Sequence, residues 1–436
     1  MFTISLKHPA ARILFLLLLA PALAGLSWFI VRTAIGDSLA MFALRATDIG
    51  AEARLATVAT AIRLAPADPA TRLQGGQAIF ATATADNDDQ ILARAVIELR
   101  AATQLNPVDY RAWLALGRAL EQSGASAEAR AMYERAAQLA PAHFEPHWRL
   151  GNFLLRNGQL DAACASFQVP MNNRPEAFPL IFNSLWEAYQ GDVQAMLKAL
   201  RPPRIVRAEM AIALVRRQRL TEALAVWKEA EQTPAHSNRM AMALIEKQFF
   251  HAAHDVLRQT PGAVPAPDQN SLLANGGFEQ NIQLDETAPF LTWHIKPRAG
   301  MTISLDKEKP QAGLNSLRMS FELTDSASFI PAEQNVLVKP GARYRLGFQV
   351  RTEGLRSFSV PVIEVFDMRG GNKLHAVSAA MAPDINPWQE YTLDFTTSPD
   401  TEAVTIRIIR MTCVENPCPL KGQLWLDSFR LAPLSS

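Results

Sequence analysis

The spacing of hydrophobic residues changes twice along this chain of 436 residues. From Ile13 to Val31 the sequence ILFLLLLAPALAGLSWFIV runs 19 residues without a charge, about the length that a helix needs to cross the hydrocarbon core of a bilayer. Residues 48–260 show the three- and four-residue spacing of helices. From residue 271 onward, apolar and polar residues alternate, as in strands with one buried face. The pattern predicts an apolar helix, a helical region and a sheet region, in that order.

The apolar segment is a transmembrane helix or a signal peptide. Lys7 and Arg12 precede it, and since basic residues favour the cytoplasmic side, the remaining chain is predicted to lie across the membrane. Cleavage after Ala24 is the alternative, because the small residues of ALA suit a signal peptidase. We predict a cytoplasmic stub and anchor at 1–33 and a juxtamembrane connector at 34–47. The chain would then cross the inner (cytoplasmic) membrane once, with its bulk in the periplasm or outside.

The helical region repeats itself with a fixed period. Seven residues recur 34 positions later: Leu116, Gly117, Leu120, Gly124, Ala129, Tyr133 and Pro141 correspond to Leu150, Gly151, Leu154, Gly158, Ala163, Phe167 and Pro175. A 34-residue period with a Leu-Gly pair, a small residue, an aromatic residue and a closing proline resembles the tetratricopeptide repeat, a hairpin of two helices. Stacked hairpins of this kind form an α-solenoid, which we predict over residues 48–260.

The resemblance implies a concave groove, lined by the first helix of each hairpin, that holds a protein partner. The matching positions in the clearest repeats are Arg111, Arg118, Trp148, Asn152 and Arg156. Exposed aromatic and arginine side chains are enriched where partners bind. The alternative for these five residues is an ordinary solvated helix surface.

The alternating region begins after a proline-rich linker. PGAVPAPDQN, at residues 261–270, carries three prolines, which stop helices. Six alternating or apolar segments follow, separated by turn residues: SLRMSFEL, YRLGFQVRT, VPVIEVFD, YTLDFTT, AVTIRIIRM and LWLDSFRL. Together they predict an antiparallel β-sandwich over residues 271–436. The predicted fold class is therefore multidomain: a transmembrane helix, an α-solenoid of tetratricopeptide repeats, and a C-terminal antiparallel β-sandwich.

Several short motifs follow one another in a characteristic order in this last segment. They are NGGFE at Asn275–Glu279, Trp293, GLNSLRMS, VKPGARYRLGFQVR, WQEYTLDF and LWLDSFRL. Their order and spacing resemble those of the jelly-roll carbohydrate-binding modules and their galactose-binding-like relatives. Members of that group commonly hold a structural calcium ion between the opening glutamate and an aspartate of the last strand. The resemblance implies calcium at Glu279 and Asp427; the alternative is two loop carboxylates without a metal.

Sugar binding requires aromatic planes together with polar groups directed at hydroxyls. Trp293 and Trp388 occupy positions that pack in the core of this fold, so we do not assign them to a site. Four polar residues on the predicted strands are candidates for a glycan-binding face: Arg345, Gln349, Glu364 and Arg407. The alternative is a solvated sheet surface, since antiparallel sheets often have one wet face.

Charge and cysteine content narrow the range of functions. Forty-three Lys and Arg against 42 Asp and Glu give a net charge of +1, without the basic footprint of a nucleic-acid binder. Cys413 and Cys418 flank a turn shaped by Asn416 and Pro417. In an oxidising compartment we predict a disulfide between the two cysteines, the alternative being two free thiols. Cys164 is predicted to be a small buried residue on a helix.

We find no sequence signature of an enzyme. Nucleophile elbows, phosphate loops and metalloprotease motifs are absent from the sequence. Glu364 and Asp367 lie three residues apart on one strand and face opposite sides, which is unsuitable for two carboxylates acting on one glycosidic bond. The pair His251 and His254 lacks a third zinc ligand at metalloprotease spacing.

The sequence therefore predicts a membrane-anchored scaffold without catalytic activity. It resembles anchored repeat proteins of bacterial exopolysaccharide systems, which implies a role in envelope polysaccharide assembly or export. The solenoid would bind an envelope protein and the sandwich would bind polysaccharide. Two alternatives remain: an assembly factor whose sandwich docks protein without a sugar site, and a cryptic glycoside hydrolase.

Overall fold

A computed structural model describes residues 9–260, 264–282, 290–370, 373–415 and 417–434. Lys7, the first three residues of the predicted linker and Asn416 of the predicted turn lie outside the described residues. The chain divides into two compact units, Met1–Met210 and Ala211–Ser436. The second unit contains the last helices as well as the whole sandwich.

The first part of the described chain is helical, as predicted. It contains fourteen α-helices and a 3-10 turn at Pro175–Ala177: α1 (Pro9–Arg45), α2 (Ala51–Leu64), α3 (Pro69–Asp86), α4 (Asp89–Leu105), α5 (Tyr110–Gln122), α6 (Ser126–Leu139), α7 (Phe144–Arg156), α8 (Leu160–Asn173), α9 (Phe178–Ala188), α10 (Val193–Leu200), α11 (Arg204–Arg216), α12 (Leu220–Lys228), α13 (Pro234–Glu246) and α14 (Phe250–Arg258). Successive helices pair as hairpins, which is the arrangement that the 34-residue period predicts.

Helix α1 joins the apolar segment to the solenoid without a break. It runs for 37 residues, and its part Leu19–Arg45 is long and apolar enough to cross a membrane. Its last turns pack against the repeats, since Ala40 and Ala43 are fully buried. The predicted connector at 34–47 is thus helical as far as Arg45, because IGDSLAMFALR contains good helix formers and no proline.

Close contacts hold this part of α1 against the next hairpin. A Cβ added to Gly36 would lie 2.7 Å from the Cβ of Ala65, so only glycine lets the two helices approach this far. The side chain of Gln74 donates from Nε2 to Oδ1 of Asp37 at 3.0 Å. The C-terminal turns of α1 therefore serve as the first layer of the solenoid.

The repeated glycines allow the two helices of a hairpin to pack closely. A Cβ on Gly117 of α5 would lie 3.0 Å from the ring of Tyr133 in α6. A Cβ on Gly151 of α7 would lie 2.5 Å from the ring of Phe167 in α8. Both aromatic rings are buried. The Leu-Gly pair and the aromatic residue thus recur together because each glycine leaves room for the ring that follows it.

Within the described residues of the second unit, two five-stranded antiparallel sheets form a sandwich. The strands are β1 (Trp293–Ile295), β2 (Met301–Asp306), β3 (Ser316–Leu323), β4 (Phe329–Leu337), β5 (Arg343–Arg356), β6 (Val362–Asp367), β7 (Leu374–Val377), β8 (Asp384–Thr396), β9 (Ala403–Arg410) and β10 (Leu420–Pro433). The first sheet has the order β1-β4-β9-β6-β7 and the second the order β2-β3-β10-β5-β8.

The core between the sheets is apolar and partly aromatic. Phe278 and Trp293 lie with ring centroids 5.3 Å apart, and Trp293 lies 5.2 Å from Phe429 of β10. Phe348 of β5 stacks on Phe429 at 5.2 Å. The core position predicted for Trp293 is confirmed, as this side chain is only 3% exposed. Trp388 of β8 is half-buried and does not belong to this core, so the core position predicted for it is wrong.

The last helical hairpin of the second unit contacts one end of the sandwich. The side-chain amide of Gln248 donates to the carbonyl of Arg369 at 3.3 Å. A ring nitrogen of His251 in α14 lies 3.2 Å from the carbonyl oxygen of Val338, just after β4. Because the ring of His251 bonds to backbone and His254 lies 3.5 Å from a carboxylate oxygen of the adjacent Asp255, both imidazoles have structural partners.

Candidate binding sites

The outer face of the first sheet brings distant charged residues into one row. Backbone register places Glu333 of β4 opposite Arg407 of β9, and Arg407 opposite Glu364 of β6. Side chains directly opposite one another on neighbouring strands are in contact distance. Three residues far apart in sequence thus form one transverse row, with Val377 of the edge strand β7 at its end.

Arg407 is the centre of this row. Its Nε donates to Oε2 of Glu364 at 2.8 Å, and its Nη2 lies 2.7 Å from the same oxygen. Its guanidinium carbon lies 4.2 Å from the centroid of the Phe366 ring, a cation–π distance. The side chains of Arg407 and Glu364 are 22% and 6% exposed, so the pair is held rigidly in a partly dry environment. We call Glu333, Arg407, Glu364 and Phe366 the Arg407 row.

Further polar and apolar groups border the Arg407 row. Thr405 of β9 donates to the side-chain oxygen of Asn335 in β4 at 2.8 Å. Lys296 Nζ lies 2.8 Å from Oε1 of Glu333. Leu374 and Val377 of β7 are each 47% exposed at the edge of the sheet. The surface therefore offers paired donors and acceptors beside aliphatic groups, a mixture suited to sugar hydroxyls and the apolar faces of sugar rings.

The four predicted glycan-binding residues do not form one surface. Glu364 and Arg407 lie on the first sheet, whereas Arg345 and Gln349 lie on β5 of the second. Arg345 makes an exposed ion pair with Asp394 of β8, at 2.6 Å. The sandwich separates the two pairs because β5 and β9 belong to different sheets, an assignment that alternation within single strands does not determine.

Neither sheet offers an exposed aromatic plane among the described residues. Phe358 is the one aromatic side chain of the described sandwich that is more than a third exposed, and it lies in the loop between β5 and β6. Trp425 of β10 faces outward but is fully buried beneath Lys309, whose Nζ lies 4.6 Å from the ring centroid. Its Nε1 donates to Asp306 at 2.7 Å. Sequence alternation could have identified Trp425 as outward-facing, but not that a loop covers it.

Glu279 and Asp427, the predicted calcium ligands, both approach Gly277. A Cβ on Gly277 would lie 3.8 Å from Oδ1 of Asp427 and from Cγ of Glu279. Backbone N–H groups of the β2–β3 loop donate to both carboxylates, with Gln311 donating to Asp427 at 2.8 Å and Leu314 to Glu279 at 2.9 Å. Burial raises the pKa of Asp427 above its ordinary value, although these N–H groups oppose the shift.

The donor set fits calcium in part. Two carboxylates supply oxygen ligands of the kind that calcium takes, and a cation would offset the cost of the buried charge on Asp427. The described residues contain no group of three or more His, Cys, Asp or Glu side chains placed to hold a metal. Glu279 and Asp427 would therefore hold the ion together with backbone carbonyls and water.

The five predicted groove residues of the solenoid differ in whether their side chains already bond to other residues of the chain. Arg111 pairs with Asp109 at 2.8 Å, which lowers the pKa of that carboxyl. Arg156 pairs with Glu121 at 2.6 Å, and Glu121 also accepts from the hydroxyl of Tyr133. Arg156 thus joins α7 to α5, whereas the pair of Arg111 and Asp109 lies at the start of a single helix, α5.

Trp148 and Asn152 lie together on α7. Asn152 donates to the carbonyl of Trp148 at 2.8 Å and accepts from the hydroxyl of Ser184 in α9 at 2.7 Å. Trp148 is half-buried against Phe144 and Arg149, and its Nε1 has no hydrogen-bond partner among the described residues. This nitrogen is itself buried, so a bound partner could reach it only after the side chain of Trp148 moves.

Arg118 borders a cavity on the first helices of the repeats. Its guanidinium lies 5.2 Å from the ring centroid of Phe80 in α3. A cavity of about 350 Å³ lies beside it, lined by Leu44, Gln77, Phe80, Ala81, Thr84, Leu99, Ala115 and Arg118. A second cavity of about 390 Å³ shares Leu44 and Gln77 with the first and extends to Arg45 and Arg111. The contribution of α1 was missed, because the sequence suggests a connector at this point.

A disulfide joins Cys413 and Cys418, and Cys164 is a free, buried cysteine. The disulfide loop is tied to the sandwich by Arg410, which is fully buried and donates to the carbonyls of Cys418 and Asp325. Arg410 therefore connects Cys418 to the segment around Asp325 at one end of the sandwich.

Comparison with known proteins identifies two segments. Residues 270–412 match the family model of a carbohydrate-binding domain, and residues 110–153 match that of the tetratricopeptide repeat. No curated protein matches the chain.

Among solved structures, the chain is similar to the enzymatically active domain of Bacteriophage CBA120 tailspike protein 4, with 17% identity and a TM-score of 0.26, covering 38% of this chain and 22% of that one. It is similar to a carbohydrate-binding module of family 4, with 13% identity and a TM-score of 0.28, covering 37% of this chain and 99% of that one. It is also similar to MamA, with 19% identity and a TM-score of 0.32, covering 52% of this chain and 95% of that one. The chain thus joins a tetratricopeptide-repeat region to a carbohydrate-binding-module-like sandwich.

Proposed function

We propose that this chain is a membrane-anchored scaffold without catalytic activity that binds a protein with its solenoid and a polysaccharide with its sandwich. The matched segments are both of binding types, which supports a scaffold. An N-terminal helix long enough to cross a membrane supports the anchor. The scaffold would act in the assembly or export of envelope polysaccharide, with the solenoid and sandwich outside the cytoplasm.

The Arg407 row carries the glycan part of this proposal. Its ion pair is fixed by Phe366 and nearly neutral as a unit, so it presents pre-oriented donors and acceptors without a net charge. Pre-orientation lowers the entropy cost of binding. We propose that a neutral stretch of glycan lies across β4, β9 and β6, with Leu374 and Val377 against its apolar edge.

A calcium ion at Glu279 and Asp427 would have a structural role in this proposal. The two carboxylates lie on the β10 side of the sandwich, whereas the Arg407 row lies on the first sheet. Calcium would tie the β2–β3 loop to β10 and stabilise the sandwich without touching the glycan.

A protein-docking sandwich is the second candidate function. It is favoured by one observation, namely that the described sheet faces lack an exposed aromatic plane on which a sugar ring stacks. In that case the Arg407 row would be a polar patch that recognises a protein surface.

Deletion of the gene in its source organism, with complementation, tests the proposed role. The amount and chain length of surface polysaccharide should change on deletion, and wild-type protein should restore them. Complementation with Arg407→Gln should fail, while Arg345→Gln, on the other sheet, should succeed. Unchanged polysaccharide in the deletion strain would refute the envelope role. Full complementation by Arg407→Gln would refute the assignment of the Arg407 row.

A further inference from the structure

The solenoid groove is partly built by the helix that continues from the membrane segment. Met41, Leu44 and Arg45 of α1 line the second cavity, and Leu44 also lines the first. The two cavities adjoin at Leu44 and Gln77, and we call the surface that they make along α1, α3 and α5 the anchor groove. From Val31, where the uncharged run ends, to Met41 the helix rises about 15 Å. A ligand in the anchor groove would lie close to the membrane surface.

The chemistry of the anchor groove is apolar with unpaired positive charge. Its floor contains Leu44, Phe80 and Leu99, whereas its rim carries Arg118 and Arg45. Both arginines are exposed, and neither makes an ion pair within the described part of the chain. The other arginine of the rim, Arg111, is already paired with Asp109. An acidic ligand with large apolar side chains complements both properties.

We infer that the anchor groove binds an acidic, apolar segment that directly follows the transmembrane helix of a second membrane protein. This inference rests on the proposed function of the solenoid as a protein-binding element and specifies its partner. The carboxylates of the segment pair with Arg45 and Arg118, and an apolar side chain enters the cavity over Phe80. A partner anchored in the same bilayer presents its first extracytoplasmic residues at the height of the groove, which raises their effective concentration.

Peptide binding to the full chain in lipid nanodiscs tests the charge requirement. The probes are two short fluorescein-labelled peptides, one of glutamate and leucine and one with lysine at every glutamate position, followed by anisotropy in zwitterionic lipid. The acidic peptide should bind about tenfold more tightly than the basic one. Its binding should weaken at about 1 M salt, where charges are screened beyond about 3 Å. Arg45→Gln and Arg118→Gln should each weaken it about threefold to fivefold.

Arg94→Gln is the matched control for these variants. Arg94 is an exposed arginine of α4 that lines neither cavity of the anchor groove. Its substitution removes the same charge from the same solenoid and should leave the peptide affinity unchanged. Equal affinity for the acidic and basic peptides, or equal effects of all three substitutions, would overturn the inference.

A second arm tests the distance from the membrane. Two fusion proteins are compared. In one, the acidic segment directly follows a polyleucine transmembrane helix; in the other, a glycine-serine spacer of about 30 residues separates them and spans about 30 Å on average. Each is co-reconstituted with the chain, and association is measured by energy transfer. The direct fusion should associate more strongly; stronger association through the spacer would contradict the position of the groove.

Two further outcomes separate this inference from its alternatives. In the first, neither peptide binds, and Arg45→Gln and Arg118→Gln reduce the affinity of the chain for anionic vesicles. This result would assign the groove to lipid headgroups and overturn the inference. Failure of peptide binding with intact polysaccharide binding at the Arg407 row would refute this inference and leave the proposed function of the sandwich standing.

Discussion

Arg407 lies 4.2 Å from the ring centroid of Phe366 while it donates to Glu364 at 2.8 Å. The arginine, aromatic ring and carboxylate thus fix one another on the outer face of the first sheet. Such fixation has an energetic consequence, because a partly buried charge that loses its partner keeps the cost of its desolvation.

Removal of either member of this pair should destabilise the sandwich. Glu364→Gln and Arg407→Gln should each lower the free energy of unfolding by about 1 to 3 kcal/mol, since one buried group remains unsatisfied. The double variant should cost less than the sum of the two single variants. Urea denaturation measures all three, and strictly additive losses would show that the pair is not coupled. The exposed pair Arg345 and Asp394 provides a control expected to leave the unfolding midpoint unchanged.

The glycine of the second clear repeat should not tolerate a methyl group. In Gly151→Ala the new Cβ would lie 2.5 Å from the ring of Phe167, so the buried ring must move. We expect a loss of about 1 to 3 kcal/mol in the unfolding free energy of the repeat region. Gly50→Ala is the control, because a Cβ there meets no atom within 4 Å. Equal thermal stability of the two variants would show that the Gly151–Phe167 contact does not limit packing.

The disulfide should contribute modestly to the stability of the sandwich. Cys413 and Cys418 are separated by five positions, so the bond closes a short loop, for which chain entropy predicts about 2 kcal/mol. Reduction, or the double change to serine, should lower the free energy of unfolding by this amount. Reductant should then have no effect on the double serine variant. An unchanged denaturation midpoint on reduction of the wild type would contradict this estimate.

Asp427 should make stability depend on pH in a calcium-sensitive manner. Burial raises the pKa of Asp427, so the folded state favours the protonated carboxyl. Without a cation, the stabilisation from that proton is complete below the ordinary aspartate pKa of about 3.9 and is lost as the pH rises through the raised value. Calcium should restore stability above that pH and raise the melting temperature near neutrality.

Comparison of Asp427→Asn with the wild type tests the role of this carboxyl. The variant should lose both the calcium effect and this part of the pH dependence, whereas the other carboxylates continue to titrate in both proteins. Melting curves from about pH 3.5 to 7.5, with calcium and with chelator, provide the comparison. A calcium effect that persists in the variant would place the ion elsewhere.

The predicted fold class was correct because the hydrophobic period changes clearly along the chain. The segment SLRMSFEL coincides with β3, since alternation marks a strand with one buried face. Strand β4 was not predicted, because FIPAEQNVL contains a proline and its Gln334 is buried. The side-chain nitrogen of Gln334 donates to the carbonyls of Ala274 and Leu291, which are distant contacts that a local pattern does not contain.

The candidate sites were predicted only as separate residues. Sequence alternation shows that Arg407 and Glu364 face away from the core, but their contact depends on the order β4-β9-β6, which is set by tertiary pairing. For the same reason the sequence could not show that Arg345 and Arg407 lie on different sheets. The groove position of Arg118 followed from the repeat, whereas the role of Arg45 depends on the continuity of α1 with the solenoid.

Glycan binding by the full chain in nanodiscs most directly tests the central claim that the sandwich binds polysaccharide through the Arg407 row. The wild type, Arg407→Gln and Arg345→Gln would be compared on a glycan array, followed by calorimetry with the polysaccharides that bind. The wild type should bind saturably, Arg407→Gln should abolish this binding, and Arg345→Gln should preserve it. Absence of binding to any glycan, or equal binding by all three proteins, would contradict it and leave protein docking as the function of the sandwich.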